Sequence, residues 1–270
     1  MRHLRLFENF EVVEPIKYGD PLNNKEINFL KGYDVMCPEW ISKDDGYYYI
    51  FDHRCENIKD LPLTYINAVC KKYNIQNYTI NDDFTIDVDD NIDISFESLS
   101  KIPLCFNKVY GDFVCSFNRI TSLEGSPKSV ANFYCNNNQL TTLKGGPESV
   151  SGSFYSHVNK LVSLKGAPES VSGSFCSHDN KLVSLKGGPE YVGGNFNCSH
   201  NQLTTLEGGP KSVGGDFSIH NNQLTTLEGS PQSVGGDFYC HKNSLTSVEY
   251  KGVIKGKLIL QRGYKRQINT

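Results

Sequence analysis

Apolar and polar positions along most of this chain repeat at a fixed spacing. A phenylalanine recurs seven times between Val109 and Val248, first after 20 residues and then every 21, and further apolar residues follow it by two, seven and ten positions. The seven are Phe113, Phe133, Phe154, Phe175, Phe196, Phe217 and Phe238. A self-similar period of this length is typical of a solenoid, in which each repeat forms one coil and neighbouring coils bury a common core.

The residues around each phenylalanine alternate between apolar and polar, which predicts one short strand per coil. Successive strands are expected to stack as a parallel sheet, with the phenylalanine and the residue two positions later pointing inward. That second inward position holds Cys115, Cys135, Ser156, Ser177, Cys198, Ile219 and Cys240. The Gly-x-Pro stretch that ends each repeat, as in residues 229–231, predicts a non-helical, extended return to the next strand.

An asparagine stands five residues after every phenylalanine. We predict that each amide turns inward and forms hydrogen bonds to the backbone of its own coil and of the next one, because those backbone groups would otherwise be buried without partners. The column is therefore interpreted as a structural ladder. Its members are Asn118, Asn138, Asn159, Asn180, Asn201, Asn222 and Asn243.

These columns resemble the leucine-rich repeat pattern L-x-x-L-x-L-x-x-N-x-L, with phenylalanine at the second leucine and Gly, Ala or Ser at the first. The short period with proline is similar to the leucine-rich repeats of type III secreted bacterial effectors. A second resemblance is to repeat proteins of tailed bacteriophages and low-GC bacteria, and it rests on residues 203–217, Leu-Thr-Thr-Leu-Glu-Gly-Gly-Pro-Lys-Ser-Val-Gly-Gly-Asp-Phe. Residues 2–10 resemble the start of many large-phage proteins. The resemblance implies a horseshoe with a parallel β-sheet on its concave face, non-helical convex returns and a small α+β N-terminal cap. It also implies that a protein partner binds the concave face.

We predict three regions: an N-terminal cap over residues 1–80, the leucine-rich repeat solenoid over residues 81–250, and a C-terminal cap with a basic tail over residues 251–270. Within the first, residues 20–32 and a stretch beginning at Asp60 read as helices, and residues 47–51 read as a strand. The second helix carries the apolar positions Leu63, Ile66, Val69 or Cys70, and Tyr73. In the last region, residues 257–260 read as a final strand. The ubiquitin-ligase domain of some effector relatives is not expected here, because only residues 251–270 follow the repeats.

An acidic passage over residues 82–95 invites comparison with a calcium-binding loop. The EF-hand pattern fails, because Ile92 stands where glycine is needed and Ser98 where a bidentate glutamate belongs. Counting 21 residues back from Phe113 places Ile92 and Ile94 at the two inward strand positions instead. The passage is therefore predicted to be a degenerate first coil.

Composition narrows the class of partner. The net charge of −3 gives no reason to expect nucleic acid or an anionic membrane, and no apolar run approaches the ~18 residues that a membrane span needs. The charged start does not fit a signal peptide, and nine cysteines, an odd number with four in the inward column, do not fit a disulfide framework. A cytoplasmic protein, in the host cell or a virion if phage-encoded, is expected.

The outward positions of the predicted strands form the candidate binding surface. Variable residues there, beside rigid inward ones, are what a recognition surface needs. The candidates are Tyr134, Tyr155, His157, Cys176, His178, Asn195, Asn197, Asp216, His220, Asp237, Tyr239 and His241. Neighbouring histidines could share a metal ion, but catalytic zinc takes three protein ligands and structural zinc four, so no metal or other cofactor is predicted.

The sequence favours a non-enzymatic protein-binding module, encoded by a phage and acting on a host or phage protein as a monomer. Two alternatives stay open: a structural part of a virion or other assembly, in which the acidic first coil meets the basic tail of another copy, and an effector-type protein delivered to another cell. An enzyme is disfavoured, because no nucleophile elbow occurs and the glycines before Lys257 miss the phosphate-loop spacing.

Overall fold

The computed structural model describes residues 41–44, 47–50, 53–55, 61–261 and 264–266, and within them the chain winds into a parallel β-solenoid. Each complete coil contributes two short strands rather than the single strand that the sequence predicts. The strands therefore form two ten-stranded sheets. The expected parallel sheet on the phenylalanines is confirmed, and the second sheet was not predicted.

The first of these sheets, here the Phe sheet, is built on the phenylalanine column. Its strands are β6 (Ile92–Asp93), β8 (Phe113–Val114), β10 (Phe133–Tyr134), β12 (Phe154–Tyr155), β14 (Phe175–Cys176), β16 (Phe196–Asn197), β18 (Phe217–Ser218), β20 (Phe238–Tyr239), β22 (Leu258–Gln261) and β23 (Tyr264–Arg266). All neighbours pair in parallel except β23, which runs antiparallel to β22. The strand predicted at residues 257–260 corresponds to β22.

The second sheet, here the Val sheet, is built on the valine that precedes each phenylalanine. Its strands are β4 (Tyr78–Ile80), β5 (Ile86–Val88), β7 (Phe106–Val109), β9 (Ser129–Val130), β11 (Ser149–Val150), β13 (Ser170–Val171), β15 (Tyr191–Val192), β17 (Ser212–Val213), β19 (Ser233–Val234) and β21 (Val253–Ile254). Here β4 is the antiparallel member. The valines of strands β9 to β19 are buried, so the return of each coil belongs to the core.

The core is a set of stacked columns that run the length of the solenoid. Phe196, for example, is fully buried, and its ring centroid lies 5.5 Å from that of Phe175 and 5.3 Å from that of Phe217. The isoleucine or leucine that follows each of the first six ladder asparagines and the proline of each return are buried as well, whereas Leu245 after Asn243 is half-buried. Because every column is shared between neighbouring coils, each coil gains its core only when its neighbours are in place.

A corner of small residues joins the two strands of each coil. A Cβ atom on Gly215 would lie 2.2 Å from Oδ1 of Asn195 in the preceding coil, so only glycine fits there. The one 20-residue step arises at this corner, because Val130 and Phe133 are separated by Ala131 and Asn132 alone.

The residue before each ladder asparagine has a left-handed backbone. Its φ angle lies between +52° and +56° in all seven coils, although only some of these residues are types that favour the conformation. The seven are Phe117, Asn137, Val158, Asp179, His200, Asn221 and Lys242. A β-branched valine is the most strained choice among them.

Replacing Val158 with asparagine is therefore expected to raise the free energy of unfolding by about 1 kcal/mol, measured by chemical denaturation. The side chain of Val158 is 42% exposed, so little apolar burial is lost. Val162→Asn is the matched control, since Val162 is 54% exposed and has no left-handed backbone. An equal change in the two variants would show that Val158 is not strained.

The first coil closes on a helix and a short antiparallel strand. Ile92 pairs with Phe113 and both Ile92 and Ile94 are buried, which confirms the degenerate first coil. The helix predicted from Asp60 is α1 (Leu61–Lys72), and it buries Ile66 and Val69 against the solenoid end. Leu63 was predicted to belong to the same apolar stripe, but its side chain is 42% exposed and lies outside that contact.

Ahead of α1, β1 (Ile41–Asp44), β2 (Tyr47–Ile50) and β3 (His53–Cys55) form a separate antiparallel sheet. The strand predicted at residues 47–51 is β2. The helix predicted at residues 20–32 lies outside the described residues.

Candidate functional site

The residues that follow the inward phenylalanines form the outer surface of the Phe sheet, here the Phe-sheet face. Tyr134 and Tyr155 are half-buried, and their rings stack with centroids 4.9 Å apart and planes 7° from parallel. The rings stack because each coil repeats the same position one strand spacing further along. Stacking holds each ring in place, so its outer edge and hydroxyl are presented in a fixed direction.

Histidines extend this stack into two clusters. His157 stacks on His178 at 4.5 Å and touches Tyr155 edge to face, and these residues with Tyr134 form the first cluster. His220 stacks on His241 at 4.5 Å. The ring of His241 contacts that of Tyr239 edge to face, and the ring of His200 contacts that of His220 in the same way. These four residues form the second cluster.

Small side chains separate the two clusters. Cys176, Asn197 and Ser218 occupy the position after the phenylalanine there, and all three are half-buried. Oδ1 of Asn197 accepts hydrogen bonds from the amide and the hydroxyl of Ser199, at 3.0 and 2.7 Å. The Phe-sheet face thus carries two aromatic groups with a polar strip between them.

Three predicted binding residues also hold the coils together. Oδ1 of Asn195 accepts the backbone N–H of Asp216, and Oδ1 of Asp216 accepts that of Asp237, at 2.8 and 2.7 Å. Asp237 in turn accepts the N–H of Lys257 at 2.8 Å. The position before each phenylalanine is therefore a second ladder, which explains why it holds only Asp, Asn and Ser. Binding by these three residues stays a prediction.

The ladder asparagines are turned into the solenoid. Nδ2 of Asn201 donates to the carbonyl oxygens of Cys198 in its own coil and Ser177 in the preceding one, at 3.1 and 3.0 Å. Its Oδ1 accepts the N–H of Leu182, also in the preceding coil, at 3.0 Å. The cross-coil bonds therefore run backward along the chain and not to the next coil as expected. The same bonds recur at Asn138, Asn159, Asn180, Asn222 and Asn243.

Burial and crowding disfavour the protonated form of His157 and of His220. Burial first, and then the neighbouring His241, His200, Lys242 and His178, lower the pKa of His220 to about 4. Burial and His178 likewise lower the pKa of His157. At pH 7 both rings thus lack positive charge and can stack on a neighbouring imidazole without repulsion.

Acid is expected to destabilise the solenoid through His220. The pKa of this group is lower in the folded chain than in the unfolded one, so protonation favours unfolding once the pH falls below about 6.5, the ordinary value. The unfolding temperature should fall between pH 7 and pH 5. The fall should be smaller in His220→Asn, because the asparagine side chain does not take up a proton in this pH range. Asparagine also fits this column, since Asn136 occupies it in an earlier coil. Equal slopes for parent and variant would contradict the role of His220.

The Phe-sheet face also carries the thiol of Cys176. Burial raises the pKa of Cys176 to about 11, so its sulfur is a thiol and not a nucleophilic thiolate at neutral pH. Within residues 61–261 and the short described segments before and after them, no three His, Cys, Asp or Glu side chains are grouped to hold a metal ion. The seven cysteines whose side chains the structure describes are all free.

Within the part of the chain that the structure describes, no helix has the length and apolar character to cross a bilayer. No protein-family model matches the chain, and no curated protein matches it either.

Proposed function

We propose that this chain is a non-enzymatic protein-binding module that recognises its partner through the two aromatic clusters on the Phe-sheet face. The observation that carries the proposal is the fixed stacking of Tyr134 on Tyr155 and of His220 on His241. Tyrosines supply large contact area with few rotatable bonds, and anchors that are already ordered lose little entropy on binding. The small residues between the clusters would contribute complementarity of shape.

The repeat pattern supports a further part of the proposal, which concerns origin. The columns of phenylalanine, leucine and asparagine support membership of the short leucine-rich repeat proteins of bacteria and their phages, and the partner would then be a host or phage protein. In that case the Phe-sheet face corresponds to the concave binding surface of such repeats. An effector delivered to another cell would use the same face.

The first strand of the Phe sheet favours a monomer over an end-to-end assembly. Among the described strands, none pairs with the outer edge of β6. The carboxylates of Asp90 and Asp93 accept hydrogen bonds from the backbone N–H groups of Asn91 and Ser95, which flank that strand, at 2.7 and 2.9 Å. Edge N–H groups that are already occupied are poor templates for another strand. Light scattering that shows salt-sensitive self-association would instead favour the structural-assembly alternative.

The triple variant Tyr155→Ala/His178→Ala/Tyr239→Ala tests the binding surface. The partner is first isolated by affinity purification from the native source and identified by mass spectrometry, and its affinity is then measured by calorimetry. We expect the variant to fold, since these side chains lie outside the core, and to bind at least tenfold more weakly, which corresponds to about 1.4 kcal/mol.

The matched control reverses charges on the Val-sheet side, at Glu148, Glu169 and Lys211, and is expected to bind as the parent does. Unchanged affinity in the triple variant together with loss in the control would move the binding site to the Val-sheet side.

A further inference from the structure

Two exposed phenylalanines stand beside the first coil, apart from the two clusters. Phe96 and Phe117 lie where the first two strands of the Phe sheet end, and their side chains are 71% and 47% exposed. Their rings stack with centroids 4.5 Å apart and planes 7° from parallel. One face of each ring is thus covered by the other, and much of each side chain remains open to solvent.

The backbone at this pair favours a different residue type. Both phenylalanines have left-handed backbones, with φ of +59° and +56°. An L-residue loses free energy in this conformation, and asparagine tolerates it better than phenylalanine. Asn137 and Asn221 occupy the same position in later coils. Strain and exposed apolar area at one place are typical of an interaction site, because neither contributes to folding.

The charges around the pair are mostly negative. Asp90, Asp93 and Glu97 are exposed on the coil of Phe96, and the exposed cations on the coil of Phe117 are Arg119, two residues from Phe117, and Lys108, which lies in the Val sheet. An arginine guanidinium stacks on an aromatic face and pairs with carboxylates at the same time. The surroundings therefore select a cationic group that also has a flat or apolar surface.

We propose that Phe96 and Phe117 form an anchoring site for a segment of a partner protein in which arginine lies next to an aromatic residue. The aromatic residue packs on the open edge of the phenylalanine pair, and the arginine reaches Asp93 and Glu97. This site is separate from the two clusters, and its test does not depend on their function.

The probe is the peptide acetyl-Gly-Arg-Trp-Arg-Gly-amide, titrated into the full chain and followed by NMR signals of the phenylalanine rings. We expect saturable binding with a Kd on the order of 1 mM, weakened by salt. The matched peptide with glutamate in place of both arginines should bind at least tenfold more weakly. Phe96→Asn/Phe117→Asn should also lose at least tenfold in affinity for the arginine peptide, although its unfolding temperature should equal or exceed that of the parent.

Two controls separate this site from the rest of the surface. Val158→Asn makes the same kind of substitution two coils further on, and Tyr155→Ala/His178→Ala/Tyr239→Ala removes the clusters; both should bind the arginine peptide as the parent does. Equal binding by the parent and the double asparagine variant would overturn the proposal, as would equal binding of the two peptides. Ring shifts that depend on protein concentration without any peptide would overturn it in favour of a second copy of the chain.

Discussion

Replacing Phe196 with alanine is expected to lower the free energy of unfolding by about 3–5 kcal/mol, measured by chemical denaturation. The ring is fully buried and stacks on Phe175 and Phe217 in the coils on either side. Those neighbours are fixed by their own sheet hydrogen bonds, so they cannot move into the space that the ring leaves. The loss therefore combines the transfer of a large apolar side chain with a cavity that does not close.

Phe117→Ala is the matched control for this change. It removes the same atoms from a ring that is 47% exposed, so it should cost much less stability. If Phe196→Ala were as stable as the parent, the phenylalanine column could not be the centre of the core.

Replacing Asn201 with alanine is expected to cost about 3 kcal/mol, because several buried backbone groups lose their partners together. The N–H of Leu182 and the carbonyl oxygen of Ser177 both bond to this one amide, and both belong to the preceding coil. The substitution should therefore weaken the junction between two coils. Native-state hydrogen exchange should show faster exchange at the amide of Leu182 in particular.

The neighbouring Gln202 provides the control, since it is an exposed amide side chain. Gln202→Ala should change the free energy of unfolding by less than about 0.5 kcal/mol. Equal losses in the two variants would mean that the ladder asparagine is not the group that joins the coils.

The sequence predicts those parts of the fold in which one type of side chain has the same structural role in every coil. A buried ring and a buried amide each recur every 20 or 21 residues, so Phe196 and Asn201 reveal the core and the ladder without any structure. The stacking of His157 on His178 could be anticipated in the same way, because both stand three residues after a phenylalanine.

The parts that the sequence does not predict depend on backbone geometry. A two-residue strand such as Ser212–Val213 is too short to show alternation, so the Val sheet has no signature of its own beyond the recurrence of valine. Asn195 and Asp216 read as surface residues, because nothing in a polar side chain reveals that it accepts an N–H from the next coil. The left-handed position stays hidden where it holds Val158 or Lys242, which rarely adopt that conformation.

The central claim is that every coil belongs to two parallel sheets, with the clusters on the outside of one of them. Scalar couplings across hydrogen bonds, measured by NMR on the deuterated chain, test it directly. In the Phe sheet we predict a coupling between the amide nitrogen of Phe196 and the carbonyl carbon of Asp216. In the Val sheet we predict one between the amide nitrogen of Gly214 and the carbonyl carbon of Val192. The N···O distance of each of these two hydrogen bonds is 2.8 Å. The first coupling without the second would mean a solenoid with a single sheet and would contradict the claim.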